Sequence, residues 1–198
     1  EGIYARIEDK RGLAKSHNNI ANVYYSQGEY PKALKYYTKS LEAYQYLNDE
    51  KGIATVLNNI GNIYSEQGDL KNALLYHNRS LTTLEKYGSK KGIAASLGNI
   101  GNIHREKGDY DKALAAFEKG LEVKMKLDDQ WGIATSLNNI GSLYFDKQDH
   151  NKALLFQQEG LKIRERIGDQ RGVAKSYLSL DESSRKKENI DLSIQKCL

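Results

Sequence analysis

The sequence predicts an all-α fold, a superhelical solenoid of antiparallel helix hairpins, on three observations. First, Gly12, Gly52, Gly92, Gly132 and Gly172 recur at intervals of 40 residues, and the stretch Leu57-Asn58-Asn59-Ile60-Gly61-Asn62-Ile63-Tyr64 returns in near-copy at 97–104 and 137–144 and more loosely at 17–24. A fixed period of this size means that each repeat buries its apolar face against its neighbours rather than in one central core. Second, apolar and small residues follow helical rather than alternating spacing, as with Ala54, Leu57, Ile60, Gly61 and Tyr64, and no segment reads as a strand. Third, the connections are short Gly-acid turns and polar links, which force consecutive helices to lie antiparallel.

Taken in order, residues 1–8 align with the end of the helix that closes each later repeat and read as half a helix left from a preceding one. Full repeats follow at 9–48, 49–88, 89–128 and 129–168, with a degenerate, truncated fifth at 169–198, all within one array over 1–198. Asp9, Asp49, Ser89, Asp129 and Asp169 open the repeats as N-caps, because their side-chain oxygens can take an orphan amide of the first turn. First helices then run to about Gln27, Gln67, Lys107, Lys147 and Lys187. Gly28, Gly68 and Gly108 follow as C-caps, where glycine accepts the left-handed conformation cheaply, whereas Gln148 and Glu188 depart from that rule.

Glu29, Asp69, Asp109 and Asp149 cap the second helices, with Pro31 in a first turn where a missing amide costs nothing. These helices run to about Leu47, Tyr87, Leu127 and Ile167. In them Ala33, Ala73, Ala113 and Ala153 let two backbones approach, and Leu41, Leu81, Leu121 and Leu161 fill the space eight residues on. In the fifth repeat Asp181 replaces the small residue of Ala21, Gly61, Gly101 and Gly141, and Ser184 replaces the aromatic or histidine. Its second helix begins at Ile190, leaving Leu192, Ile194 and Leu198 for a next repeat or another chain.

Composition narrows the function. The 30 basic and 26 acidic side chains leave a net charge of +4, spread without a run that could follow a phosphate backbone, so nucleic acid is not an expected partner. No apolar run reaches the ~18 residues of a membrane span and no signal peptide is visible, so no membrane contact is expected of this stretch. The single cysteine, Cys197, rules out an internal disulfide and fits a reducing, cytoplasmic setting, although a bacterial surface protein can also lack cysteines. Beginning at Glu1 and stopping in what reads as an unfinished helix, the chain reads as a piece of a longer one. Its truncated C-terminal helix can support end-to-end self-association.

Catalysis finds little support. His17, His77, His104 and His150 are dispersed over different repeats, with no His-Cys or His-carboxylate spacing that would ligate a metal. No glycine-rich loop follows a strand, and the abundant carboxylates recur as caps and surface charges. The expectation is a non-enzyme with no cofactor, no metal and no catalytic residue.

The repeated residues resemble those of the tetratricopeptide repeat family. Its first-helix pattern appears as Leu57, Ile60-Gly61 and Tyr64 and again as Leu97, Ile100-Gly101 and His104; its second-helix pattern as Ala73, His77 and Ser80 and as Ala113, Phe117 and Gly120. The resemblance covers nearly the whole chain and is highly specific for fold, but it is nearly silent on function, because this fold hosts many partners. The 40-residue period exceeds the usual 34 of the family and its closing proline is missing, which puts extra residues in the second helix and the link. Such units look like those of cell-polarity adaptors that bind extended peptides, and equally like sensory arrays preceding bacterial histidine kinases.

On a helical wheel Leu57, Ile60, Gly61 and Tyr64 share one side, which packs, while Thr55, Asn58, Asn59, Asn62 and Glu66 share the other. In a superhelix of hairpins the first helices line the concave wall, so the second side becomes a polar groove. Asn19, Asn59, Asn99 and Asn139 then form a ladder, flanked by Asn22, Asn62, Asn102, Asn58 and Asn138. A carboxamide offers donor and acceptor together, which matches the backbone of an extended peptide whatever its side chains. The same asparagines can instead solvate a helix face or bridge neighbouring helices.

Lys15, Lys175, Arg105 and Arg185 lie near this face, and Tyr25 and Phe145 are candidates for an apolar pocket. Tyr24, Tyr64, His104 and Tyr144 read as core, and Trp131 as packing over a turn. Two functions follow: an interaction module holding a peptide or partner segment, or the sensory or autoinhibitory region of a larger signalling protein such as a bacterial histidine kinase.

Overall fold

The computed structural model describes residues 2–197, with side chains over 9–190. The described residues form nine α-helices and no strand: α1 Gly2–Ser26, α2 Tyr30–Tyr46, α3 Glu50–Glu66, α4 Leu70–Tyr87, α5 Lys90–Glu106, α6 Tyr110–Lys126, α7 Gln130–Asp146, α8 His150–Ile167 and α9 Gln170–Cys197. The fold is of the all-α solenoid class. Two compact units divide the chain within α5, at Glu1–Ser96 and Leu97–Leu198.

The helices are punctuated by left-handed residues. Gly28, Gly68, Gly88, Gly108 and Gly168 have φ between 72° and 77°, and Asn48, Asp128 and Gln148 take up the same region at 49°, 51° and 62°. The carbonyl groups at the helix ends are closed by the chain reversing here. The N–H of Glu29, Asp49, Asp69 and each later counterpart returns to a carbonyl five residues back, as Asp69 N–H does to Tyr64 O at 2.9 Å.

The next helix starts at once. Asp49, Asp129 and Asp169 accept from the N–H of Gly52, Gly132 and Gly172, and Asp69 and Asp149 from those of Asn72 and Lys152. The Asn72 and Lys152 backbone amides are the main cause of Asp69 and Asp149 being held below the usual carboxylate range. Glu29 and Asp109 occupy the same position without a side-chain cap bond.

Two expected boundaries do not exist. Helix α1 continues through Asp9, which therefore caps nothing, and α9 continues through Lys187, Glu188 and Ile190 to Cys197. The physical reason is the residue that would have to reverse the chain at each boundary. Asn48, Asp128 and Gly168 turn left-handed ahead of the caps Asp49, Asp129 and Asp169, whereas Glu8 ahead of Asp9 and Glu188 ahead of Asn189 are good helix formers and the helix propagates. The side chains of 1–8, and the apolar positions Leu192, Ile194 and Leu198, lie outside the described residues.

In the first unit α1/α2 and α3/α4 are hairpins, and α2 joins α3. Ala33 and Ala73 are fully buried at their crossings. Below them Ser40 Oγ donates to Ala14 O at 2.8 Å and Ser80 Oγ to Ala54 O at 2.9 Å, so the second helix is tied to the backbone of the first. Tyr44 and Leu84 cover Gly52 and Gly92, where a Cβ would meet the Tyr44 ring or the Leu84 methyls. Ring stacks close each hairpin: Tyr24 on Tyr36 at 5.6 Å and Tyr64 on Tyr76 at 5.4 Å.

The second unit repeats the scheme with polar replacements. Phe117 lies on Gly101 and Gln157 on Gly141, while Gly120 and Gly160 stand where the first unit has the two serines. At the positions of Tyr44 and Leu84 are two cations. Lys124 Nζ donates to Ser136 Oγ at 2.8 Å, and Arg164 donates to Gly172 O and Ser176 Oγ, both at 2.8 Å. Burial lowers both pKa values, against the opposing pull of Asp129 and Asp169. Tyr144 stacks on Phe156 at 5.5 Å, but Ala116 deprives His104 of a ring partner, and its Nδ1 lies 3.3 Å from Asp109.

Candidate functional site

The first helices carry two buried faces rather than one. Besides Leu57, Ile60 and Gly61, Val56 and Ile63 of α3 are fully buried, as is Leu143 of α7. This leaves a narrower polar strip than a helical wheel suggests, and Asn58, Asn59, Asn62, Asn99, Asn138 and Asn139 are all half-buried, while Asn19, Asn22 and Asn102 are exposed.

Their carboxamides divide by direction. Asn22 Oδ1 accepts from Tyr37 Oη at 2.5 Å, and Asn58 Oδ1 lies 3.1 Å from His77 Nδ1, so both bridge to the second helix of their own hairpin. Asn138 likewise turns its Oδ1 inward, where it is buried with no partner. Asn59 behaves differently: its Nδ2 donates to Asn18 Oδ1 at 3.2 Å, placing the amides of α1 and α3 side by side in the first unit.

His77 is 1% exposed, and desolvation lowers its pKa to about 4. The ring is therefore neutral at pH 7, and it must carry its proton on Nδ1 to donate to Asn58. Burial likewise pushes the Tyr37 phenol up to about 12, with Tyr25 adding to the shift. Neither group is set for proton transfer, and both read as satisfied core polar residues.

Several clefts lie around these strips, and two bear on the site. In the first unit one of about 540 Å³ is bounded by Arg11, Lys15, Asn18, Asp49, Thr55 and Tyr87, among others, with Arg11 and Asp49 paired at 3.5 Å. In the second unit one of about 240 Å³ lies among Arg105, Phe145, Asp146, Gln157, Glu182 and Ser183, with Ser142 and Ser179 also on its wall. Phe145, singled out in the sequence for a pocket, meets His150 edge-on at 5.4 Å. Tyr24, Tyr64 and Tyr144 stack within their hairpins. Trp131 is 61% exposed, which corrects its expected packing over a turn. The only sequence mark of the cleft beside Gln157 is that Gln157 and Ser183 stand where the preceding repeat has Phe117 and Leu143.

Among the described residues no three or more His, Cys, Asp and Glu side chains gather as a metal site, and no helix is long and apolar enough to cross a membrane. Against known families, the tetratricopeptide repeat matches residues 12–86 and 92–166, most of the chain. The chain belongs to the tetratricopeptide repeat family.

That family's repeats serve protein–protein interaction, and the fold is generally non-catalytic. No curated protein matches the sequence significantly. Among solved structures, this tetratricopeptide repeat chain is similar to BtubC (BKLC) from P. vanneervenii, at 18% identity and a TM-score of 0.82, over 95% of this chain and 78% of that one. It is similar to the apo form of RapI at 20% identity and a TM-score of 0.76, covering 83% of this chain and 60% of that one. A Rap protein complexed with competence and sporulation factor matches at 18% identity and a TM-score of 0.76, over 90% and 50%. The chain thus spans about half to three-fifths of the two Rap structures, and at these identities the likeness is one of fold.

Proposed function

We propose that this chain is a non-catalytic module that binds an extended peptide or partner segment along the asparagine-bearing strips of its first helices. The contact of Asn59 with Asn18 carries the reading. It sets carboxamides of neighbouring first helices within one hydrogen-bond length, and a carboxamide has two donors and an acceptor oxygen, so a single bond leaves Asn59 capacity for a peptide backbone. In the first unit the strip is Asn19, Asn59 and Asn62; in the second it is Asn99, Asn102 and Asn139. Asn22 and Asn58 support the strip from behind by bridging to the second helix of their own hairpins, and Asn138 turns its oxygen to the same side.

A cytoplasmic setting fits the lone cysteine. The Rap protein solved with a bound factor supports ligand binding by this fold, and it keeps alive a sensory role within a larger signalling protein.

The test is a selection from a library of random dodecapeptides, followed by calorimetric titration of the selected peptides. Replacing Asn59, Asn99 and Asn139 together with alanine should weaken a selected peptide roughly tenfold or more, at about 1 kcal/mol per hydrogen bond, without loss of helicity. Unchanged affinity would remove the asparagines from the site.

A further inference from the structure

The cleft of the second unit has a chemical bias that the asparagine strips lack. Gln157, at the position of Tyr37, His77 and Phe117, is 2% exposed, and its Oε1 has no hydrogen-bond partner. Ser183, at the position of Ile63, Ile103 and Leu143, is fully buried, and its Oγ is equally unpartnered. Two polar side chains thus stand where the other repeats have larger or apolar groups, and both border the same cleft of about 240 Å³. An unsatisfied buried acceptor is costly, so a position that keeps two of them points to a group that enters and satisfies them.

The rest of the wall says what that group is. Asp146 and Glu182 add carboxylates, and Phe145 adds a ring. The one cation is Arg105, whose Nε lies 3.2 Å from Asp146, so that pair is already balanced. Glu182 joins no ion pair among the described residues, and Arg185, one turn on, is taken by Asp181. The wall therefore presents acceptors, one net negative charge and an aromatic face. This is the complement of an ammonium or guanidinium group, which brings several donors and a positive charge and is attracted to a ring.

We infer that the cleft lined by Phe145, Gln157, Glu182 and Ser183 is a subsite for a basic side chain, lysine or arginine, of a bound partner segment. The inference rests on the proposed peptide-binding reading only for the source of the cation. The cation-binding chemistry stands by itself and is tested without a peptide.

Butylammonium chloride is titrated into the 15N-labelled chain, with n-butanol and sodium chloride as controls, while the Gln157 carboxamide and Ser183 amide signals are followed by NMR. Saturable shifts of both signals with butylammonium alone are expected, together with at least a fivefold loss of affinity in Glu182→Gln. Ser183→Ile, which restores the apolar residue of the other repeats and fills the cleft, should abolish the shifts while leaving the helical circular dichroism intact. Absence of saturable shifts, equal shifts with n-butanol, or full affinity in both variants would overturn the subsite and leave a water-filled gap. A subsite that titrates while no library peptide binds would sink the peptide reading alone. Peptides that bind and yet keep full affinity when each Lys or Arg is replaced by norleucine would sink the subsite alone.

Discussion

At the scale of residues, the turns and the buried histidine make the sharpest predictions. Gln148 takes φ 62° in a turn where Gly28, Gly68 and Gly108 serve the other first helices. A side chain in the left-handed region costs roughly 1–2 kcal/mol, so Gln148→Gly should raise unfolding stability by about 1 kcal/mol in urea titrations, after the greater freedom of glycine in the unfolded chain is set against it. Gly108→Gln should do the reverse. His77 predicts a pH dependence. Its pKa falls from 6.5 to about 4 on folding because burial disfavours the charged ring. Between those values the unfolded chain binds a proton that the folded chain refuses, so stability is full above pH 6.5 and declines as pH falls towards 4, by up to roughly 3 kcal/mol. His77→Phe, which copies Phe117, should remove that part of the pH profile. A variant whose stability falls as steeply as the parent's over this range would show that His77 is not the group responsible.

At the scale of helices, close approach is what holds a hairpin together. A Cβ on Gly101 would stand 2.5 Å from ring carbons of Phe117, which is 1% exposed and has nowhere to go. Gly101→Ala should therefore cost about 1–3 kcal/mol by overpacking, and Gly101→Ala with Phe117→Leu should recover part of that loss, in a double-mutant cycle followed by denaturant unfolding. The serine ties act at the same crossings. Ser80→Ala, which removes the bond to Ala54 O, should cost about 1 kcal/mol, whereas Thr83→Ala, whose hydroxyl bonds only within its own helix, should change little.

At the scale of the whole chain, the helices and turns were legible because period, caps and glycines agree with one another. The 40-residue recurrence identified the hairpins, and the acids at 49, 69, 129, 149 and 169 all proved to be caps. The expected breaks at Asp9 and near Glu188 are absent because an acid such as Asp9 caps only after a left-handed residue, and because Glu188, which already departs from the glycine rule, does not reverse the chain. The sequence signal of both continuous helices is Glu8 and the run Arg185-Lys186-Lys187-Glu188, neither of which offers a glycine.

The candidate site was legible only as a set of asparagines. A helical wheel treats 58, 59 and 62 alike, but the burial of Val56 and Ile63 rotates the strip, so that Asn58 meets His77 while Asn59 reaches Asn18. Direction of a carboxamide depends on what the second helix offers it, and that offer varies through Tyr37, His77, Phe117 and Gln157. The period alone carries no such information. Nor does it show that two buried acceptors, Gln157 and Ser183, end beside one cleft.

The most direct measurement of the central claim is the response of the asparagine side chains themselves. With a library-selected peptide added to the 15N-labelled chain, the carboxamide signals of Asn59 and Asn139 should shift and slow their exchange with water, while that of Asn78, on the second helix α4 and bonded to Leu74 O at 2.8 Å, stays put. Shifts confined to second helices, with Asn59 and Asn139 unmoved, would contradict it.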